Sequence, residues 1–369
     1  MNKRVLLVGG GHAHMMTLAA IGQFVEKGFG VTVIGPSPFH FYSGMGPGML
    51  GKTYSPDDIR FRTKHVVEKQ GGVFIHAKAT GVDPGKKVVF IDNGGPVPYD
   101  VVSFNAGSQV PSVPVHGEVP TYSVKPIEKL LQAQKRLLTM TRDRRIAVVI
   151  VGGGPSSAEV AGNVWQLIHD AGQTLPAITI YAAKRFMHRF PEKVRKKVAR
   201  SLSGRGIRIL EEAAVERIEK GGLFLEGGRK EPADFVFLAT GVRPSPIFAA
   251  SGLPTGPDGG LRVNRYLQCT AQPDMFGGGD CIYFQDQPLD KVGVYAVRQN
   301  PVLLHNLMAA LEQTPLQAFD PGGDYLLIFN LGGGKGVLRK RWIQFGGRPA
   351  FMVKDYIDRK FMRKFQAIE

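Results

Sequence analysis

Val5-Leu6-Leu7-Val8-Gly9-Gly10-Gly11-His12-Ala13-His14 reads as a short apolar strand that runs into a glycine turn and leaves it as a helix. The pattern returns at Ile146–Val151, closed by Gly152-Gly153-Gly154. A helical stretch and a second strand follow each turn: Gly30 to Ile34 after the first, Ile178-Thr179-Ile180-Tyr181 after the second. Each unit is therefore a βαβ opening. The similarity of residues 1–35 to 146–182 is that of a duplicated fold, not of a short solenoid repeat. A third stretch, Met275-Phe276-Gly277-Gly278-Gly279-Asp280, comes much later. This order predicts an α/β chain with two Rossmann-like dinucleotide-binding domains and a C-terminal appendage.

The rest of the chain is organised around those units. A helix is expected from His14 to Lys27, and Pro36 to Gly51, rich in Gly, Pro and aromatics, reads as a loop. Val101 to Phe104 is a strand ended by Asn105-Ala106-Gly107-Ser108. Pro111 to Pro120 is a proline-rich linker. Phe235 to Ala239 is the last strand of the second unit, ended by Thr240-Gly241, after which the chain returns to the first. The expected domains are residues 1–115 with 246–324, residues 116–245, and a tail of residues 325–369 holding a glycine-rich hairpin near Gly332–Gly336 and a basic helix. A chain of 369 residues has room for two such domains.

Bulk properties narrow the class. The N-terminus starts basic and apolar, like a signal peptide, but Gly9–Gly11 interrupts the run and the strand–turn reading uses every residue. Apolar runs are strand-length, too short for a spanning helix. Cys269 and Cys281 form no CxxC, which fits a reducing, cytoplasmic setting and offers no zinc site. The formal charge of +16 is clustered. Lys184–Arg208 holds ten Lys/Arg against one Glu, and Asn330–Glu369 ten against three acids, which together account for the whole excess. Such surfaces attract phosphates, nucleic acid or anionic lipid. No aromatic–basic recognition motif accompanies them, so no nucleic-acid partner is expected.

A strand feeding a glycine turn and then a helix points backbone N–H groups and the positive helix end at a pyrophosphate. Gly9 and Gly11 fill the first two fingerprint positions, with His14 where the third Gly is usual. Gly152 and Gly154 fit the second fingerprint, with Ser157 in the third place. The acid that would hold a ribose 2′-hydroxyl is missing from both units: Gly35 follows Ile34, and Ala182 follows Tyr181. Lys184 and Arg185 lie just beyond. NADH, NADPH and no nicotinamide nucleotide all stay open on these residues.

Gly9-Gly10-Gly11, Asn105-Ala106-Gly107-Ser108, Gly152 to Gly162, Ala239-Thr240-Gly241 and Gly278-Gly279-Asp280 resemble, in order, the motifs of the pyridine nucleotide–disulfide oxidoreductase superfamily. Within it the chain is most similar to type II NADH:quinone and sulfide:quinone oxidoreductases. Gly9 to His14, Tyr42-Ser43-Gly44-Met45 and Val294 to Gln299 also resemble the flavoprotein module fused to some selenophosphate synthetases. The resemblance implies FAD on Gly9, Gly11, His12, Ala13, His14, Ala106, Gly107, Gly279 and Asp280, with Pro47 and Gly48 against the isoalloxazine. It implies NAD(P)H as donor on Gly152, Gly154, Pro155, Ser156 and Gly241. Glu159 would face nicotinamide and flavin, and Gln299 would lie near flavin and acceptor.

The chain departs from that family in its thiols. Phe39 to Gly51 has no cysteine where the disulfide enzymes carry theirs, so a thiol relay is not expected. His12 and His14 lack partners at metal-ligand spacing, so no metal is expected. The reading is an FAD-dependent oxidoreductase passing electrons from NAD(P)H to a quinone-like acceptor. The alternative is a flavin-bound module serving a selenium- or sulfur-pathway partner. In the tail, Val353, Ile357, Phe361 and Phe365 recur every four residues beside Lys and Arg. That stripe suits a helix lying on an anionic membrane surface, at the inner face, or packed on the protein's own core or in a homodimer interface.

Overall fold

The computed structural model describes residues 3–369. Two five-stranded parallel sheets organise the chain. The first runs, edge to edge, Met275–Gly277, Val101–Phe104, Arg4–Val8, Gly30–Gly35, Val73–His76. The second runs Thr121–Ser123, Phe235–Leu238, Ala147–Val151, Ala177–Tyr181, Arg208–Leu210. The two orders correspond position by position, and each central strand ends in a glycine turn. Val5–Val8 and Val148–Val151 are buried throughout. Continuous apolar strands of this kind are what parallel sheets covered on both faces require.

The glycine-rich stretch expected as a loop is ordered. It holds a short strand at His40–Phe41, a single turn at Ser43–Met45 and a helix at Gly46–Leu50, all five residues of which are buried. Small residues allow the close fit. A Cβ on Gly48 would stand 2.5 Å from the Tyr54 ring, and one on Gly51 would stand 2.6 Å from Asn163 Oδ1. The expected His14–Lys27 helix is interrupted at Ala20, giving Met15–Ala19 and Ile21–Glu26. The proline-rich segment contributes its own strand, Val115–His116, to a small sheet with Val215–Glu219.

The tail is an antiparallel sheet of Leu327–Asn330, Gly336–Lys340 and Ile343–Gly347, followed by a helix at Arg348–Gln366. It docks on the helix Pro155–Asp170 through backbone-to-backbone contact. A Cβ on Gly162 would lie 2.0 Å from the Leu331 carbonyl oxygen, and one on Gly332 (φ +72°) would lie 2.1 Å from that of Gly162. Gln166 spans the seam, donating to Gly51 O at 2.8 Å and accepting from Gly333 N at 2.8 Å.

The apolar stripe of the terminal helix divides. Phe365 is buried and Phe361 packs on both main cores. Val353 and Ile357 are 37% and 41% exposed. The buried line is instead Ala350, Lys354, Asp358, Met362 and Phe365. Two charges one helical turn apart can enter because they neutralise each other, Lys354 Nζ donating to Asp358 Oδ2 at 2.8 Å.

Because neither main chain at the Gly162–Gly332 crossing can retreat without separating the tail from the helix, Gly162→Ala should destabilise the protein by roughly 1–3 kcal/mol. Thermal melting should record a drop of several degrees, and limited proteolysis should cut first after Tyr325.

Candidate functional site

The first glycine turn is clamped from three sides. Gly9 has φ +91°, and a Cβ there would meet Asn105 O at 2.3 Å; one on Gly11 would meet Asn105 Oδ1 at 2.2 Å. Asn105 Nδ2 donates to Gly278 O at 2.8 Å, so the three motif segments converge on one side chain. His14 sits fully buried behind the turn, with ring nitrogens 2.7 Å from Gly9 O and 2.7 Å from Ser103 Oγ. Burial lowers its pKa to about 4, so it is neutral at pH 7; Nδ1–H donates to the carbonyl and Nε2 accepts from the hydroxyl. Its contribution to the cradle is made through the turn it braces.

The helix Gly293–Glu312 grips the same region. Gln299 is buried, and its Oε1 accepts from Gly279 N at 2.7 Å. Asn300 donates to His12 O and accepts from Met16 N. Asp280 Oδ2 accepts from Lys125 Nζ at 2.7 Å and Ser108 Oγ at 2.8 Å. Burial alone would raise this carboxyl, but the Lys125 ammonium and both hydrogen bonds bring it below the usual carboxylate range.

His12 Nε2 and Asn105 Oδ1 are buried polar atoms without a hydrogen-bond partner among the described residues. A Cβ at Gly107 (φ +67°) would meet nothing within 4 Å. Unsatisfied polar atoms at a glycine cradle fit a polar group held there. Pro47 and Gly48 are buried in the neighbouring short helix, and Ala13 is buried in the turn. In the second unit Gly154 is the extended residue before the helix Pro155–Asp170. Gly154 and Gly241 have open space where a Cβ would be, and Ser156 is exposed at the helix start. Gly152 instead packs against Ala239 O, at 2.1 Å from a Cβ.

A cluster of ionisable groups forms where the helix Pro155–Asp170 meets the tail. Glu159 Oε1 accepts from Asn330 N at 2.8 Å. Burial pushes its pKa up to about 7 despite the nearby Lys354. Lys354 donates to Gly44 O at 2.9 Å and to Asp358, and Tyr42 Oη donates to Asp358 Oδ1 at 3.1 Å. Burial alone would lower the Lys354 pKa, but Asp358 and Glu159 hold the ammonium above its ordinary value. Beside this cluster His12, His40, Tyr42 and Phe361 form an aromatic wall, with His12–Phe361 centroids 5.8 Å apart. Burial lowers His12 to about 4 and His40 to about 3, so both rings are uncharged at neutral pH.

Asp358 and Lys125 carry no sequence signal, and Lys354, which reads as one of the solvated cations beside the apolar stripe, is buried. An i,i+4 Lys–Asp pair on a basic helix reads as a solvated face, and no local signal marks Lys125. The two cysteines lie apart from the cluster. Cys281 is buried behind the Gly-Asp turn, its Sγ 3.3 Å from Gly278 O, and burial raises its pKa to about 11. Cys269 is buried in the first core and also raised by burial.

The pattern of the pyridine nucleotide–disulphide oxidoreductase family matches residues 3–308, and the chain belongs to that family. It is an FAD-dependent oxidoreductase that uses NAD(P)H. Among curated proteins it is similar to ferroptosis suppressor protein 1 of Taeniopygia guttata, 25% identical over 88% of this chain and 85% of the relative. It is also similar to the type II NADH:quinone oxidoreductase of Staphylococcus saprophyticus, 23% identical over 99% of this chain and 96% of the relative. Among solved structures, NDH2 of Plasmodium falciparum in complex with NADH superposes with a TM-score of 0.82 at 14% identity, covering 100% of this chain and 98% of that one.

The raised Glu159 pKa has a thermodynamic consequence. The native state keeps a proton that the unfolded chain releases near pH 4.5, so stability falls as pH rises from about 4.5 to about 7. Glu159→Gln should remove this slope, gaining roughly 1–3 kcal/mol relative to wild type between those limits. Denaturant midpoints measured across the window check it; parallel profiles for the two proteins would refute the assignment.

Proposed function

We propose that the protein carries electrons from NAD(P)H through FAD to a quinone-like acceptor, with no thiol relay. Bound FAD would supply the two-electron chemistry, accepting hydride from the donor and reducing the acceptor. The observation that carries the reading is the cluster at Glu159: a carboxyl poised near neutrality, a buried ammonium, a tyrosine and neutral imidazoles, linked in turn from the helix after the second glycine turn to His12 of the first. Gly9, Gly11, His12, Ala13, Gly107, Gly279 and Asp280 would hold the flavin nucleotide. Gly152, Gly154, Pro155, Ser156 and Gly241 would hold the nicotinamide nucleotide. Glu159 would orient the donor and exchange a proton with the site near pH 7. Lys354 holds its charge against Glu159 and so biases that proton. Gln299 fixes the Gly278–Asp280 turn from behind. The names of the related quinone oxidoreductases support this acceptor class.

Thiols that are buried, raised in pKa and bonded to backbone support the reading without a relay. Purified protein should carry FAD that bleaches on mixing with NAD(P)H and recovers its colour with a short-chain quinone. The double variant Cys269→Ser, Cys281→Ser should keep most of that turnover in stopped flow. A hundredfold loss with flavin still bound would place a thiol in the path.

The tail also supports reversible attachment to an anionic membrane, at the inner face if the protein is cytoplasmic. No helix among the described residues is long and apolar enough to cross a membrane. Trp342 is 83% exposed, and Ile343, Met352, Val353, Tyr356 and Ile357 are exposed on the same tail. Lys340, Arg341, Arg348, Lys360, Arg363 and Lys364 are exposed on that tail as well. Partial burial of the apolar groups contributes on the order of 1 kcal/mol each, and each cation about 1 kcal/mol near anionic lipid. Deleting the helix would uncover the core surfaces that Lys354, Met362 and Phe365 cover, so point changes are the cleaner probe. The protein should co-sediment with phosphatidylglycerol vesicles at low salt, and Trp342→Ser with Tyr356→Ser should release it. Failure of wild type to sediment would assign the tail to packing alone.

A further inference from the structure

The donor end of the second unit carries a feature that bears on which nicotinamide nucleotide is used. The strand Ala177–Tyr181 ends at Ala182, which is fully buried; a Cβ on Gly153 would stand 2.7 Å from its Cβ. Ala182 carries no carboxylate that could reach a ribose from that position. The loop that follows is fastened back over the glycine turn. Met187 N donates to Gly153 O at 2.7 Å, Phe186 N donates to Glu211 Oε1 at 2.9 Å, and Arg195 Nε donates to Phe186 O at 2.6 Å. Ala182 itself donates to Leu210 O and accepts from Ala213 N. With both ends held, the loop presents Lys184 and Arg185, both exposed, beside the mouth of the cradle.

Two of the carboxylates nearby are already engaged by cations. Glu211 is taken up by Phe186 N and by Arg195 at 3.1 Å. Glu192 is shared among Arg185, Arg195 and Lys196. Glu212 lines a hollow with Leu225, Glu226 and Arg229. Lys184 makes no ion pair among the described residues, and the Arg185–Glu192 pair is exposed, so a doubly charged phosphate competes with it at little cost.

We infer that Lys184 and Arg185 form a 2′-phosphate subsite and that the preferred donor is the phosphorylated nucleotide, NADPH. The inference rests on the NAD(P)H reading above. An adenosine ribose seated beyond Ala182 meets no acid at the strand end and two cations, one of them exchanging an exposed pair with Glu192, which favours a 2′-phosphate over a 2′-hydroxyl.

The test uses the flavin-loaded protein and fragments that need no turnover. Calorimetry should show 2′,5′-ADP binding on the order of tenfold or more tighter than 5′-ADP. The isomer adenosine 3′,5′-bisphosphate, of equal charge, should bind no better than 5′-ADP. Lys184→Ser with Arg185→Ser, both surface changes, should bring the 2′,5′-ADP to 5′-ADP ratio towards one, and circular dichroism should confirm the fold. In stopped flow NADPH should bleach the flavin at lower concentration than NADH. Equal binding of the two bisphosphates would mean unspecific charge attraction and overturn the subsite. Bleaching by NADH at lower concentration, or a ratio unchanged in the double variant, would overturn it while leaving the donor class intact. Bleaching by neither nucleotide would overturn the donor reading, and this inference with it.

Discussion

Backbone brought closer to backbone than any Cβ permits is the constraint on which this structure turns. At the first cradle Gly9, Gly11 and Gly279 all face Asn105 at distances no side chain survives. The compression has a purpose: it leaves the Asn105 amide able to tie Gly278 to the N-terminal turn, although the two are far apart in the chain. The second cradle repeats the device at Gly152 against Ala239 O. The tail uses it a third time where Gly162 and Gly332 cross. Each contact brings a glycine main chain against a neighbouring segment, the Asn105 side chain at Gly11 and Gly279 and a carbonyl at Gly9, Gly152, Gly162 and Gly332.

On this frame the protein concentrates charge where charge is expensive. Lys354 and Asp358 enter the interior together, and Tyr42 and Gly44 satisfy their remaining hydrogen-bonding capacity. An isolated buried charge would neutralise itself; a paired and hydrogen-bonded one stays. The ammonium does not fully compensate Glu159, whose carboxyl remains near neutrality. A group with that pKa can give or take a proton at physiological pH. The terminal helix therefore does two jobs, supplying this charge with one face and exposing apolar and basic residues on another.

Much of the frame was legible from local pattern. Val5–Val8 and Ile146–Val151 are strands because continuous β-branched and leucine runs suit a doubly covered sheet, and the glycines after them mark turns. The buried helix Gly46–Leu50 was not legible. Its glycines look like loop residues until Tyr54, Asn163 and Ile127 are seen filling the space that side chains would have taken. The stripe Val353, Ile357, Phe361 and Phe365 misled for a related reason. Hydrophobic periodicity measures which side chains would gain from burial, but the face that turns inward depends on what it meets, and here it meets Tyr42, Gly44 and Glu159.

The sequence by itself determined the two strand–glycine turn–helix units, their order, and the lack of a cysteine pair between Phe39 and Gly51, because backbone conformation at a glycine turn and the presence of a thiol are local properties. Only the tertiary structure decided how Lys125 meets Asp280, how Lys354 and Asp358 come to stand beside Glu159, and that His14 and Gln299 brace the turns from behind. Lys125 and Asp280 stand 155 positions apart in the chain, and Lys354 reaches its Gly44 partner across 310. Their electrostatics depend on burial and distance, which no window of sequence contains.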